Sequence, residues 1–160
     1  MNRRSYLILV CVALGLPALA WSAAPSPVGW WLLQDGTAVV RIEEAGGRLS
    51  GRTVWMKEPN YPTGDAQGRA GKPQLDDLNP DPAKRERKRL GLQILWGFGP
   101  PDDKGVCEGG QVYNPRDGKT YSGTISMIGK DRLELRGYML VSLIGKTQTW
   151  ARVDPARYGL

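Results

Sequence analysis

The chain has 160 residues, carries 22 Lys and Arg against 16 Asp and Glu for a formal net charge of +6, and contains no His. Without His it lacks the commonest general base and the ligand found in most hydrolytic zinc sites. The modest positive excess serves solubility rather than a particular partner, and the length suits one domain of ordinary size.

Arg3 and Arg4 precede an apolar run from Tyr6 to Leu16, Pro17 ends the run, and small residues follow at Ala18, Ala20 and Ser22. Charged, apolar, then small is the order of a secretory signal peptide. The run is shorter than the roughly 20 residues that span a bilayer. Cleavage after Ala20 or Ser22 is therefore expected, leaving residues 23–160 as an exported protein, periplasmic or secreted. The leader takes Arg3, Arg4 and Cys11 with it, so the charge falls to +4, 20 Lys and Arg against 16 Asp and Glu. Cys107 then stands alone and no intrachain disulfide can form. It reads either as a buried apolar thiol or as a reactive or intermolecular one.

From residue 29 onward the pattern is that of β-structure. Expected strands cover 29–33, 38–44, 48–56, 92–98, 110–113, 119–128, 132–141 and 146–153. In the third, Leu49, Gly51, Thr53 and Trp55 share a face. Leu92, Ile94, Trp96 and Phe98 do so in the fourth, and Leu133, Leu135, Gly137, Met139 and Val141 in the seventh. Ala45-Gly46-Gly47, the run from Asn114 to Gly118, and Gly129-Lys130-Asp131 supply hairpin turns. About eight short antiparallel strands in hairpin order suit a sandwich or a closed up-and-down barrel.

Residues 58–89 interrupt this rhythm. The segment is rich in Pro, Gly and charge, and far exceeds the roughly 2 to 5 residues of a hairpin loop, so a lid over the barrel mouth is expected. Asp81 before Pro82 is a good helix start, which predicts one short helix over 83–89 with Arg85 or Arg87 facing the entrance. Its basic run could meet anionic headgroups; export argues against nucleic acid, and a plain solvated face is the simpler account. Asp77, Asn79 and Asp81 have the alternate spacing that opens a calcium loop. Pro82 then stands in place of the required Gly and Lys88 in place of the bidentate Glu. These side chains are expected to fix the turn of the loop, and no metal is expected.

No catalytic residue is expected. Cys107 has no His to activate it, Asp102 and Asp103 adjoin a turn, and no phosphate-cradling glycine motif is present. The protein therefore reads as a non-enzyme without a cofactor.

Gly29-Trp30-Trp31 opens the first strand, and Arg152 lies on the last. In lipocalin-like proteins a G-x-W tryptophan closes one end of the barrel while a late arginine packs across its ring. Trp31 and Arg152 are assigned that structural role.

The stretches GRTVWMKEP, DDLNPDPAKRERKRLGLQILWGF, EGGQVYNPRDGKTYSGTISM and RGYMLVSLIGKTQTWARV together resemble the secreted bacterial family catalogued as domain of unknown function 2147. The resemblance implies a lipocalin-like, calycin-type β-barrel. Cys107 stands where that family often has a tryptophan, and Met139-Leu140 replaces a more usual small pair.

An eight-stranded barrel is either filled by its own side chains or holds one small ligand. Six Trp and six Tyr against one Phe provide apolar surfaces with polar tips. Trp55, Trp96, Tyr113, Tyr121, Tyr138 and Trp150 are the candidate liners, with Arg136 as an anchor for a carboxylate or phosphate. The expected function is binding of a small hydrophobic or amphipathic ligand such as a fatty acid or lipid fragment. The alternative is an envelope or host interaction module with a filled barrel, docking a protein partner through its long basic loop.

Overall fold

The computed structural model describes residues 25–139 and 145–160. The expected leader, with Cys11, and the end of the seventh expected strand at Val141 lie outside the described residues.

Eight antiparallel strands follow one another in chain order: β1 (Gly29–Leu32), β2 (Ala38–Ala45), β3 (Arg48–Met56), β4 (Gln93–Phe98), β5 (Val106–Asn114), β6 (Lys119–Ile128), β7 (Arg132–Tyr138) and β8 (Gly145–Arg152). Each pairs with the next, and β8 returns to β1 through Trp31 opposite Arg152 and Leu32 opposite Ala151. The sheet is thus a closed up-and-down barrel. Closure leaves no sheet edge, which settles the choice between sandwich and barrel.

The β2–β3 turn shows how local chemistry sets the connections. Gly46 and Gly47 have φ of 58° and 72°, the left-handed pair that a two-residue hairpin turn demands and that glycine adopts at least cost. β5 begins earlier than the sequence suggests. The expected strand starts at Gly110, yet the chain is paired with β6 from Val106 onward through a register shift between Cys107 and Gly110.

Two further irregularities decide which side chains enter the barrel. In β3, Val39 of β2 faces Trp55 while Val40 faces Thr53, so Val54 is one residue too many, a β-bulge. Because side chains alternate along a strand, one extra residue reverses every face beyond it. Met56 therefore turns inward and Trp55 outward, against the expected alternation. In β4, Leu95 faces Gly51 and Phe98 faces Leu49. Gly97, at φ 80°, takes up the shift, and Trp96 is half-buried, packed against the core without lining the cavity.

The inner residues Trp31, Ile42, Leu49, Leu95, Phe98, Cys107, Ile125 and Leu133 pack one half of the barrel solidly. Small partners make room for large ones there, as a narrow barrel requires. A side chain at Gly110 would overlap the Phe98 ring, and a Cβ at Gly51 would come within 2.9 Å of Leu95. Burial raises the pKa of the Cys107 thiol, with the charges of Asp102 and Glu44 adding to the effect. The thiol is a core group.

The helix expected over 83–89 is a single 3-10 turn at Pro82–Lys84. Asp81 caps it as the sequence implies, accepting from the Ala83 N–H. The chain beyond is drawn into antiparallel bonding with an earlier segment: the Asp76 N–H donates to the Arg87 carbonyl, and the Arg89 N–H to the Gln74 carbonyl. Leu75 pairs with Lys88. Backbone groups bonded sideways are not free to continue a helix.

Candidate functional site

In an up-and-down barrel alternate turns gather at opposite ends. The β2–β3, β4–β5 and β6–β7 turns share one end with residues 25–28, and there Trp31 forms a plug. It is fully buried, its indole donates to the Pro27 carbonyl at 2.7 Å, and the Arg152 guanidinium lies 4.2 Å over its ring. Arg152 also donates to the carbonyls of Lys130, Val28 and Ser26, tying three segments together. Gly29, at φ 141°, has no side chain because Arg152 occupies the space a Cβ would need. The spacing of the G-x-W motif has this physical cause.

At the other end the barrel is open over a cavity of about 770 Å³. Its apolar wall comes from Met56, Ile94, Val112, Leu135 and Trp150, and Gly137 leaves one stretch of wall flat. Tyr113, Tyr121 and Tyr138 stand at the rim. Thr53 and Gln148 are among the polar side chains that line the cavity; the Gln148 Oε1 accepts from the Trp150 indole at 3.0 Å, leaving its amide N–H groups for another acceptor.

The rim is built from three described connections. Asp35 and Thr37 come from the β1–β2 turn, Asn114 to Asp117 from the β5–β6 turn, and Lys57, Glu58, Gln74 and Arg89 from the long β3–β4 segment. Arg116 donates to Asp35 at 2.8 Å and to Thr37 at 2.7 Å. The β1–β2 and β5–β6 turns stand on opposite sides of an eight-stranded ring, so this bond crosses the mouth. Burial by itself would raise the pKa of Asp35. The hydrogen bonds from Thr37 and Arg116 outweigh it and hold the carboxyl below its usual range. Asp117 follows the same pattern: burial opposes, while Tyr121, the Lys119 N–H and Asn114 together lower it.

The long loop is folded on itself and anchored to the rim. Asp76 is fully buried. It accepts from the Tyr113 hydroxyl at 2.5 Å, the Asn79 amide at 2.8 Å and Arg87 at 2.9 Å. Burial, followed by the bond to Asp76, pushes the Tyr113 phenol up to about 12. Leu78 lies so close to Gly118 that any Cβ there would overlap its carbonyl. Farther out, Arg69 covers the Tyr61 ring at 3.8 Å and pairs with Asp65 and Asp77.

Of the side chains singled out in the sequence, Tyr113, Tyr121, Tyr138 and Trp150 come together at the cavity. Trp55, Trp96 and Arg136 do not. Trp55 packs edge-on against Tyr158 at 4.8 Å outside the barrel, for the bulge reason given above. Arg136 alternates with the inward Leu135 and Gly137, and bonds to Thr147 on the outer face. Asp77, Asn79 and Asp81 are absorbed in the loop, accepting from Tyr61 and Arg69, from the Asp81 N–H, and from the Ala83 N–H respectively. Arg85 and Arg87 turn back to Asn79 and Asp76 instead of facing the entrance. Arg89, the last residue of the same basic run, reaches the cavity. Asp76, Arg89 and Gln148 escaped the sequence reading because neighbouring acids, a run of cations and a single strand residue look alike until the register is known.

Residues 29–152 match the family model described as "Uncharacterized protein conserved in bacteria (DUF2147)". A solved structure, protein HP1028 of Helicobacter pylori, described as belonging to the lipocalin family, aligns with a TM-score of 0.67 at 24% identity. The alignment covers 84% of this chain and 87% of that one. The likeness shows a shared barrel fold. No curated protein matches the chain.

Proposed function

The chain belongs to that bacterial family, and we propose that it is an exported binding protein for a small hydrophobic or amphipathic molecule such as a fatty acid or lipid fragment. The lipocalin-like barrel is typically a binding fold. The observation that carries the reading is the open cavity of about 770 Å³, within the roughly 300 to 1,000 Å³ of ligand pockets, with an apolar wall below a polar and charged rim. Burying an alkyl tail there is worth about 0.8 kcal/mol per methylene. A cavity of this size favours ligand binding over an interaction module with a filled barrel. Arg85 and Arg87, expected at the entrance, are occupied within their own loop. Export to the periplasm or beyond is supported by the leader pattern at Arg3, Arg4 and the apolar run after them.

The test is titration with the neutral fluorophore phenylnaphthylamine, following both its emission and the tryptophan emission. Binding in the cavity should quench Trp150, so the quench should vanish in Trp150→Phe and survive in Trp55→Phe. Absence of saturable binding, or a quench that follows Trp55, would refute the reading.

A further inference from the structure

The charges around the cavity mouth are unevenly answered. Asp35 is paired with Arg116, and Asp117 accepts from Tyr121, Asn114 and the Lys119 N–H. Lys57, Arg89 and Lys146 face the same opening, with Glu58 and Asp117, whose hydrogen-bond donors are all uncharged, as the acids left against them. Lys57 and Lys146 make no ion pair among the described residues.

Arg89 differs from the two lysines in being held. Its Nε donates to the Leu75 carbonyl at 2.8 Å and its Nη1 to Gln74 Oε1 at 3.1 Å. Gln74 is held in turn, through Nε2 to the Glu58 carbonyl at 3.0 Å. The guanidinium is therefore fixed at the rim, part-buried, with Nη2 unused among the described residues. A fixed guanidinium edge suits the planar oxygens of a carboxylate or the oxygens of a phosphate. Beneath it lies apolar wall, ending at Leu135 and Trp150.

We propose that the ligand is an anionic amphiphile, its acidic head held at the mouth by Arg89 with Lys57 and Lys146 and its tail running down the barrel. This assignment rests on the cavity-binding reading above. Carboxylate and phosphate heads share the required chemistry, and their source is a free fatty acid or a phosphate-bearing lipid fragment respectively.

Displacement of phenylnaphthylamine from the full chain by dodecanoate, dodecyl phosphate, dodecanol and dodecyltrimethylammonium tests it, the tail being the same in all four. At least one anion should displace the dye about ten-fold more tightly than dodecanol, and the cation should be the weakest. The tighter of the two anions identifies the head. Arg89→Gln with Lys57→Gln should cut the preference several-fold, with Lys146 the cation remaining, and leave dodecanol unchanged, while Arg85→Gln should keep it in full. Added salt should narrow the gap between anion and alcohol.

Equal displacement by all four probes, a preference undiminished in the double variant, or its loss in Arg85→Gln would overturn the headgroup assignment and leave the cavity reading standing. Failure of the dye and every amphiphile to bind would overturn both.

Discussion

Trp31 is stabilised by three things at once: full burial, an indole hydrogen bond to Pro27 and the Arg152 guanidinium over its ring. Trp31→Ala removes the plug and should cost about 3 to 5 kcal/mol, a large share of the roughly 5 to 15 kcal/mol that holds a domain folded. A melting temperature within a degree or two of the wild type would contradict this. Asp76 poses the complementary case of a buried acid with three donors. Asp76→Ala should cost about 1 to 3 kcal/mol, because the Tyr113 hydroxyl and the Asn79 amide lose their acceptor inside the protein. Burial, and after it the same contact, raises the pKa of Tyr113 from 10.0 to about 12, so the stabilising effect of the protonated phenol is complete below about pH 10 and fades as the pH rises through about 12. Denaturant titrations should show the advantage of wild type over Tyr113→Phe shrinking across that interval. An advantage independent of pH there would mean that the hydroxyl is not the stabilising group.

At the level of elements, the rim turns and the bulged strands determine what the cavity presents. The crossing of Arg116 to Asp35 joins two hairpins that are remote in sequence, yet both partners are largely exposed. Asp35→Asn should therefore cost less than about 1 kcal/mol at neutral pH. The folded-state pKa of Asp35 is depressed, so its contribution is present above the unfolded value near 3.9 and is lost as the pH falls through the lower, folded value. Wild type and Asp35→Asn should accordingly converge in stability in strong acid. A difference that grows below about pH 4 would reverse the assigned sign.

For the molecule as a whole, one half of the barrel is packed and the other is hollow, so fold and binding are separable. Gly137 lies on the cavity wall, and a Cβ added there would meet, among the described residues, only Tyr121, at an ordinary contact distance of 3.6 Å. Gly137→Leu should therefore fold normally while projecting a side chain into the cavity. Binding of phenylnaphthylamine is expected to weaken more than ten-fold, with the melting temperature changed by only a few degrees. Unchanged binding in a well-folded variant would place the dye elsewhere.

The amino-acid pattern by itself located the eight strands and most of their limits, because each strand carries its own alternation and nearly every turn its own Gly, Asn or Asp, whereas the pairing of β8 with β1 that makes a barrel and not a sandwich was decided in three dimensions. It also determined the plugged end, where Gly29, Trp31 and Arg152 act through local geometry that only those residue types satisfy. The inner face was legible only as far as the alternation ran unbroken. Val54 and the irregular pairing of β4 each insert a residue, and a bulge costs little locally while exchanging inside for outside in everything beyond it. That is why Trp55 and Trp96 read as liners and Met56 did not. The long loop had no periodic signal to read. Whether Arg85, Arg87 or Arg89 faced the cavity was decided by the pairing of 74–76 with 87–89 and by the burial of Asp76 against Tyr113. Those contacts join residues as far as 37 positions apart, and they exist only once the barrel has closed.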